Sequence, residues 1–415
     1  MRVVMLGMGS RGDALPMAVF GAELAARGHD VTLGLCSDLV WIGQALGLST
    51  VDLRISARDF LGSEEGQEWL AAGDVHSYVH WLIDHKHRTA DQLHTDLIEL
   101  ASRADVLVSG TATELEAIVV AEAAGIPYVS VYHAPIRRNS AFPHLLVSTE
   151  IFSPAVNLST YAQVEKANWP VFEPLVNKLR ARLGLSPTAE PTGVRLEKTG
   201  ALEIQAYSRH VVPELTEWDD RRPLTGFLSP SPEQRLLLSE PVDPDLDAWL
   251  DAGEPPVYFG FGSMPVLQPD AALAMIEKVA GLLGVRALVT LKAGIANDDR
   301  VRVVGNLDHD AVLPRCRAAV HHGGAGTSAT SLRAGLPTVV CAVFADQPFW
   351  GAQLQRMGVG STLPFTELSE PTLLAALEPM LADGPRQRAA DMAALLQEED
   401  APTQTADAFE QSLRN

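Results

Sequence analysis

The residues best able to do chemistry sit in two glycine-rich turns, one near each end of the chain. Residues 321–335 read HHGGAGTSATSLRAG. A strand ends at His321-His322, and Gly323, Gly324, Ala325 and Gly326 let the backbone turn sharply and approach a ligand closely. Thr327 and Ser328 then open a helix. A helix start after such a turn offers free backbone N–H groups and the positive end of a dipole, which together hold phosphate. His322 adds a side-chain donor and, as an imidazolium, would offset the charge of a departing diphosphate. A plain glycine-rich connection with Thr327 as its cap is the alternative. Metal binding by His321 and His322 together is disfavoured, because strand neighbours point to opposite faces.

Two more loops belong to the same sheet edge. Gly262-Ser263-Met264 follows a strand, and its small residues permit close backbone approach to a phosphate. Ala345-Asp346-Gln347-Pro348 follows the strand TVVCAV. A carboxylate beside an amide is the pair needed to bind several sugar hydroxyls. Asp346 as a cap for a helix starting at Pro348 is the plainer reading.

The other turn is Gly7-Met8-Gly9-Ser10-Arg11-Gly12, a literal GxGxxG after a strand. Alone it suggests a dinucleotide site, with Asp38 as the acid for the ribose. Pro16 argues against this. As a first helical residue it starts the helix after the last glycine rather than around it. The loop also carries the polar cluster Ser10, Arg11 and Asp13. Asp13 is either a helix cap or a general base at the strand's carboxyl edge.

These turns need rigid elements behind them. Strands are expected at 3–6, 31–35, 104–110, 128–132, 201–208, 257–261, 287–291, 301–305 and 318–322 and over TVVCAV. Helices are expected at 17–26, 114–124, across 153–200, at 270–283, over TSATSLRAG and along the tail 371–413. Strands alternating with helices predict parallel sheets covered on both faces. The 415 residues, 47% apolar, suit two domains. The expected layout is an N-terminal domain at 1–228 and a proline-rich linker at 229–242. A C-terminal domain at 243–384 follows, then a helix at 385–415 that packs back on the first domain. The fold class is α/β, with two facing, Rossmann-like, doubly wound domains and a ligand cleft between them.

The stretch from Val301 to Gly360, with HHGGAGT and DQ inside it, resembles the donor-binding signature of family 1 glycosyltransferases. Within that family it is most similar to the sterol glucosyltransferase-like and bacterial antibiotic branch, as is GSRGDALP near the N-terminus. The resemblance implies a GT-B fold and an inverting mechanism, with the first domain binding the acceptor and the second the nucleotide-sugar. It maps Asp13 onto the general base and Ser10 onto a polar acceptor-site residue. Ser263, His322, Gly324, Gly326 and Thr327 map onto the diphosphate site, and Asp346 and Gln347 onto the sugar site. The base would lie on the loop 306–312, against Leu307 and Val312. Two departures stand out. Many relatives carry a catalytic histidine in the N-terminal loop, where this chain has Asp13. Residues 290–294, TLKAG, replace a common sequence ending in Gly-Trp.

The expected activity is transfer of a hexose or deoxyhexose from a UDP- or dTDP-sugar, a co-substrate rather than a cofactor, to a lipophilic small molecule. No metal is expected, since no ligand cluster accompanies the phosphate turn. Arg11, Tyr132 and His133 are expected at the acceptor site, with Arg137 nearby. Tyr78 and Trp81 either pack on an apolar acceptor or join the core. The segment HSYVHWLIDHKHRTADQLH pairs His76 with His80 at helical spacing, and a solvated helix is the better expectation than a metal site. A net charge of −20 argues against nucleic-acid and anionic-lipid partners. Three scattered cysteines and the missing leader and membrane span point to a soluble cytoplasmic protein. The rivals are a nucleotide-sugar 2-epimerase, a non-catalytic auxiliary protein and an NAD-dependent oxidoreductase.

Overall fold

The computed structural model describes residues 1–58, 64–239, 242–262, 266, 268–291, 299–305 and 307–414, with residues 64, 65, 67, 71 and 75 described by backbone alone. Its two compact units are not simple halves of the chain. The first gathers residues 1–63, 79–238 and 400–415, the second residues 64–78 and 239–399.

Each unit is built on a six-stranded, all-parallel sheet. The first comprises β1 (Arg2–Gly7), β2 (Asp30–Leu35), β3 (Ser49–Asp52), β4 (Val106–Ser109), β5 (Tyr128–Tyr132) and β6 (Leu202–Gln205), in the order β3-β2-β1-β4-β5-β6. The second comprises β7 (Val257–Gly260), β8 (Ala287–Thr290), β9 (Val301–Val304), β10 (Ala318–His321), β11 (Thr338–Ala342) and β12 (Gly360–Pro364), in the order β12-β11-β10-β7-β8-β9. Read from its other edge, the second order repeats the first. Each sheet therefore has one point where the winding reverses: β1 beside β4, and β7 beside β10. Ligands of such sheets bind outside the carboxyl ends of the strands at that point.

The sequence forms these strands because its apolar runs feed cores on both faces. In β1, Val3 and Met5 join one core and Val4 and Leu6 the other. In the second unit Val257 and Phe259 face one core while Tyr258 faces the other. A strand buried on both sides reads as a continuous apolar run.

Three expectations change. The first helix is Arg11–Ala26, so Pro16 lies inside it rather than at its start. Ser10 and Asp13 form a capping box that starts the helix earlier, and the hydrogen bond that Pro16 cannot donate is given up. The turn after β10 likewise enters its helix at Ala325, two residues before Thr327. β3 and β12 were not expected at all; both are sheet edges, where short, polar sequences such as STVD suffice.

The His-rich segment lies in the long helix Val75–Ala101, with His76 and His80 both exposed. Among the described residues no helix is long and apolar enough to cross a membrane.

The helix Asp383–Gln397 belongs to the second unit, whereas Ala401–Ser412 packs on Arg11–Ala26 in the first. Phe20 and Phe409 meet edge to face with centroids 5.8 Å apart. Arg27 is 2.6 Å from Asp407, and the His29 Nε2 is 3.0 Å from Glu410. Phe409 is fully buried. F409A should therefore cost about 3–5 kcal/mol of stability, read as a shifted urea midpoint of the first unit. An unshifted midpoint would mean that this helix does not hold the first core together.

Candidate active site

In the second unit β7 and β10 lie side by side, with Gly260 opposite His321. The chain leaves β10 through a turn that tolerates almost no side chains. Gly323 has φ +88°, and a Cβ there would lie 2.3 Å from Val340 Cγ1 on the next strand. Gly324 is the N-cap of the helix Ala325–Arg333 and carries no side-chain cap. The first amide to find a helical partner is Ser328, donating to the Gly324 carbonyl at 3.0 Å. Among the described residues no acceptor takes the N–H groups of Ala325, Gly326 or Thr327. Gly326 is exposed, with open space where its Cβ would be. The result is a row of amides at the positive end of a helix dipole.

His322 stands beside this row because two glycines make room for it. A Cβ on Gly324 would lie 2.7 Å from its Nε2, and one on Gly262 2.9 Å from its Cε1. Its Nδ1 is buried, with no partner among the described residues. Burial first, and then the field of His309, push the His322 pKa down to about 4. The imidazolium expected from the sequence is therefore replaced by a neutral ring that donates one N–H. Ser263 lies outside the described residues.

The loop after β11 holds Asp346 and Gln347. Ala345 adopts φ +59°, a costly conformation for a residue with a side chain, and so turns Asp346. Asp346 does not cap the helix Gln347–Arg356; its carboxylate instead accepts from Trp350 Nε1 at 2.9 Å. Gln347 is buried, and its amide oxygen accepts from the Val343 N–H at 2.8 Å. Any sugar contact by Gln347 would thus come from its amide nitrogen. Tyr78 groups with this unit, buried and edge-on to Phe344 at 5.2 Å. That places Tyr78 beside the loop after β11 and not in the unit that carries Ser10 and His133.

Leu307 is partly buried, while Val312 is wholly buried with Tyr258 and Leu313, supporting the loop from beneath. The Tyr258 hydroxyl and His309 Nε2 pair at 2.7 Å and tie that loop to β7. His309 and Ala345 both lie in loops that the sequence singles out, but neither the Tyr258–His309 pairing nor a positive φ at alanine has a sequence signal.

In the first unit Asp13 closes the helix start that follows β1. Its Oδ2 accepts from the Ser10 N–H at 2.7 Å and the Ser10 Oγ at 2.9 Å. Ser10 Oγ in turn accepts from the Gly12 N–H at 3.0 Å. A Cβ on Gly9 would lie 2.4 Å from the carboxylate, so glycine is required there. The Gly9 N–H reaches the sulfur of buried Cys36 at 3.5 Å. This arrangement corrects the reason for rejecting a dinucleotide site. Gly12 does lie in the first helical turn, but that turn is already capped, and by an anion that repels a pyrophosphate. Asp38 accepts from the Ala57 N–H at 2.7 Å and ties down the 57–58 segment.

Other expected acceptor residues divide. Arg11 lies over the Trp41 ring at 5.6 Å. His133 follows β5, with its Nε2 buried and without a partner among the described residues. Burial lowers its pKa, and the nearby Asp13 carboxylate opposes that shift. Tyr132 is fully buried and donates to Glu114, whose own pKa burial raises. Trp81 stacks on His85 at 5.2 Å.

Known proteins resemble this chain in sequence and fold. Residues 289–411 match the family described as erythromycin biosynthesis protein CIII-like, C-terminal domain. An uncharacterised glycosyltransferase of Mycobacterium leprae is 36% identical over 95% of this chain and 92% of its own length. A sterol 3-beta-glucosyltransferase of Arabidopsis thaliana is 30% identical over 99% of this chain and 65% of its own. The solved kitacinnamycin glycosyltransferase superposes with a TM-score of 0.72 at 19% identity, covering 99% of this chain and 98% of that one.

The neutral His322 has a pH consequence. Its folded pKa, about 4, lies below the value near 6.5 of an unfolded histidine. The folded state thus binds fewer protons between these values. The stability gained is complete above about pH 6.5 and drains as pH falls towards 4, by on the order of 3 kcal/mol. H322N should flatten this acid slope in urea titrations of the second unit between pH 7 and 4. An unchanged slope would mean that His322 is not held neutral.

Proposed function

Since this chain belongs to the GT-B glycosyltransferases of the antibiotic and sterol type, we propose that it transfers a hexose or deoxyhexose from a UDP- or dTDP-sugar to a hydroxyl of a lipophilic small molecule, with inversion. The observation that carries this is the contrast between the two helix starts at the two winding reversals. One is self-capped by a carboxylate. The other is uncapped, glycine-walled and flanked by a neutral histidine donor. Only the second welcomes a diphosphate.

In the proposed step the acceptor oxygen attacks the anomeric carbon while Asp13 takes its proton. The bond from that carbon to the diphosphate oxygen breaks, and the nucleoside diphosphate leaves with the electron pair. The amides of Ala325, Gly326 and Thr327 and the His322 N–H stabilise its growing charge. Asp346 and Gln347 orient the sugar, and the 307–312 loop takes the base. Asp13 keeps one oxygen outside the capping box, since Oδ2 receives both Ser10 donors. An oxidoreductase reading loses its support, because both its phosphate turn and its Asp38 are otherwise engaged.

Two experiments test this reading. A thermal-shift panel of UDP, dTDP and their sugars should give a clear stabilisation by one nucleotide class, at least halved by H322A. No shift with either class would remove the donor assignment. D13N retains an oxygen to accept the capping hydrogen bonds but loses the charge; it should lower turnover by at least about 100-fold. Wild-type turnover in D13N would take Asp13 out of the proton transfer.

A further inference from the structure

His321 directly precedes His322 but has no part in the proposed transfer step. It is the last residue of β10 and is completely buried. Its Nδ1 accepts a hydrogen bond from the Gly323 N–H at 2.9 Å. Its Nε2 is buried and has no partner among the described residues. An imidazole nitrogen that accepts must be unprotonated, so the ring is the neutral tautomer with hydrogen on Nε2. Burial, reinforced by His322 and His309, keeps its pKa well below the ordinary value.

The bond matters because of what Gly323 does. That residue turns the chain from β10 into the helix at φ +88°, pressed against Val340. Its buried N–H has no ladder partner once the strand has ended. Left unpaired, it would favour another peptide orientation, and the amides of Ala325, Gly326 and Thr327 would turn with it. The side chain of His321 reaches forward two residues and fixes that peptide.

We propose that His321 is the positioning residue of the diphosphate turn: it accepts the Gly323 N–H and thereby aims the uncapped amides at the ligand without touching the ligand itself. This inference rests on the assignment of a nucleoside diphosphate to that turn. It predicts a particular chemical requirement at position 321. The residue needs an acceptor at the depth of Nδ1, and nothing else of histidine is required. The amide oxygen of asparagine stands at the same depth, three bonds from Cα. Leucine has the same reach but no acceptor.

The test compares wild type, H321N and H321L by calorimetric titration with UDP, dTDP and the matching nucleosides uridine and thymidine. H321N should bind the preferred diphosphate within about threefold of wild type. H321L should bind it at least tenfold more weakly while binding the nucleoside as wild type does. The nucleoside arm separates positioning from general damage, because a merely structural role would weaken both ligands. H321I is the second acceptor-free variant should H321L not fold. Wild-type diphosphate affinity in H321L or H321I would overturn the proposal, as would a loss in H321N equal to that in H321L. Equal losses for nucleoside and diphosphate would also overturn it. Failure of the wild-type chain to bind any nucleoside diphosphate would instead sink the site assignment itself, a result seen before any variant is measured.

Discussion

Three backbone amides without partners among the described residues, at the start of the helix Ala325–Arg333, are the constraint around which the second unit is arranged. Unpaired donors at a helix start are normally capped by a side chain. The first unit does this, with Ser10 and Asp13. At the equivalent place in the second sheet, Gly324 offers no side chain at all. The same topology thus produces two helix starts of opposite electrostatic character. One presents an anion, the other asks for one.

That difference must be local. The chain carries a net charge of −20, so its distant field repels an anionic donor. The field is screened over about 8 Å at physiological salt. Within hydrogen-bonding range, each bond to a charged group contributes about 1.5–3 kcal/mol, and the helix dipole adds about 0.3–1 kcal/mol. Several amides at contact distance outweigh a screened repulsion. Neutral histidines suit such a site. His321 and His322 are both held deprotonated by burial, so neither adds a buried charge to be desolvated in the empty state. The glycines at 262, 323 and 324 are the steric counterpart, each giving space to a neighbouring side chain.

Much of this was legible in the sequence, for identifiable reasons. Apolar runs such as Val3–Leu6 announced strands buried on both faces, and the helix Glu114–Ala124 agreed with its expected bounds. HHGGAGT marked a tight turn into a helix because three glycines in four residues have few other uses. What failed was competition between local signals. Pro16 is a good first helical residue, yet the Ser10–Asp13 box won. The charge state of His322 was misjudged because burial, which set it, is a tertiary property. Edge strands β3 and β12 carry too little apolar sequence to be seen. The role of Gly323 could be read only from Val340, a residue on another strand.

The most direct measurement is a crystal structure of the chain grown with UDP or dTDP. The account predicts phosphate oxygens within hydrogen-bonding distance of the Ala325, Gly326 and Thr327 nitrogens, with His322 donating to one of them. A nucleotide bound with its phosphates at the Gly9–Asp13 turn, or anywhere that leaves those three amides unoccupied, would contradict it.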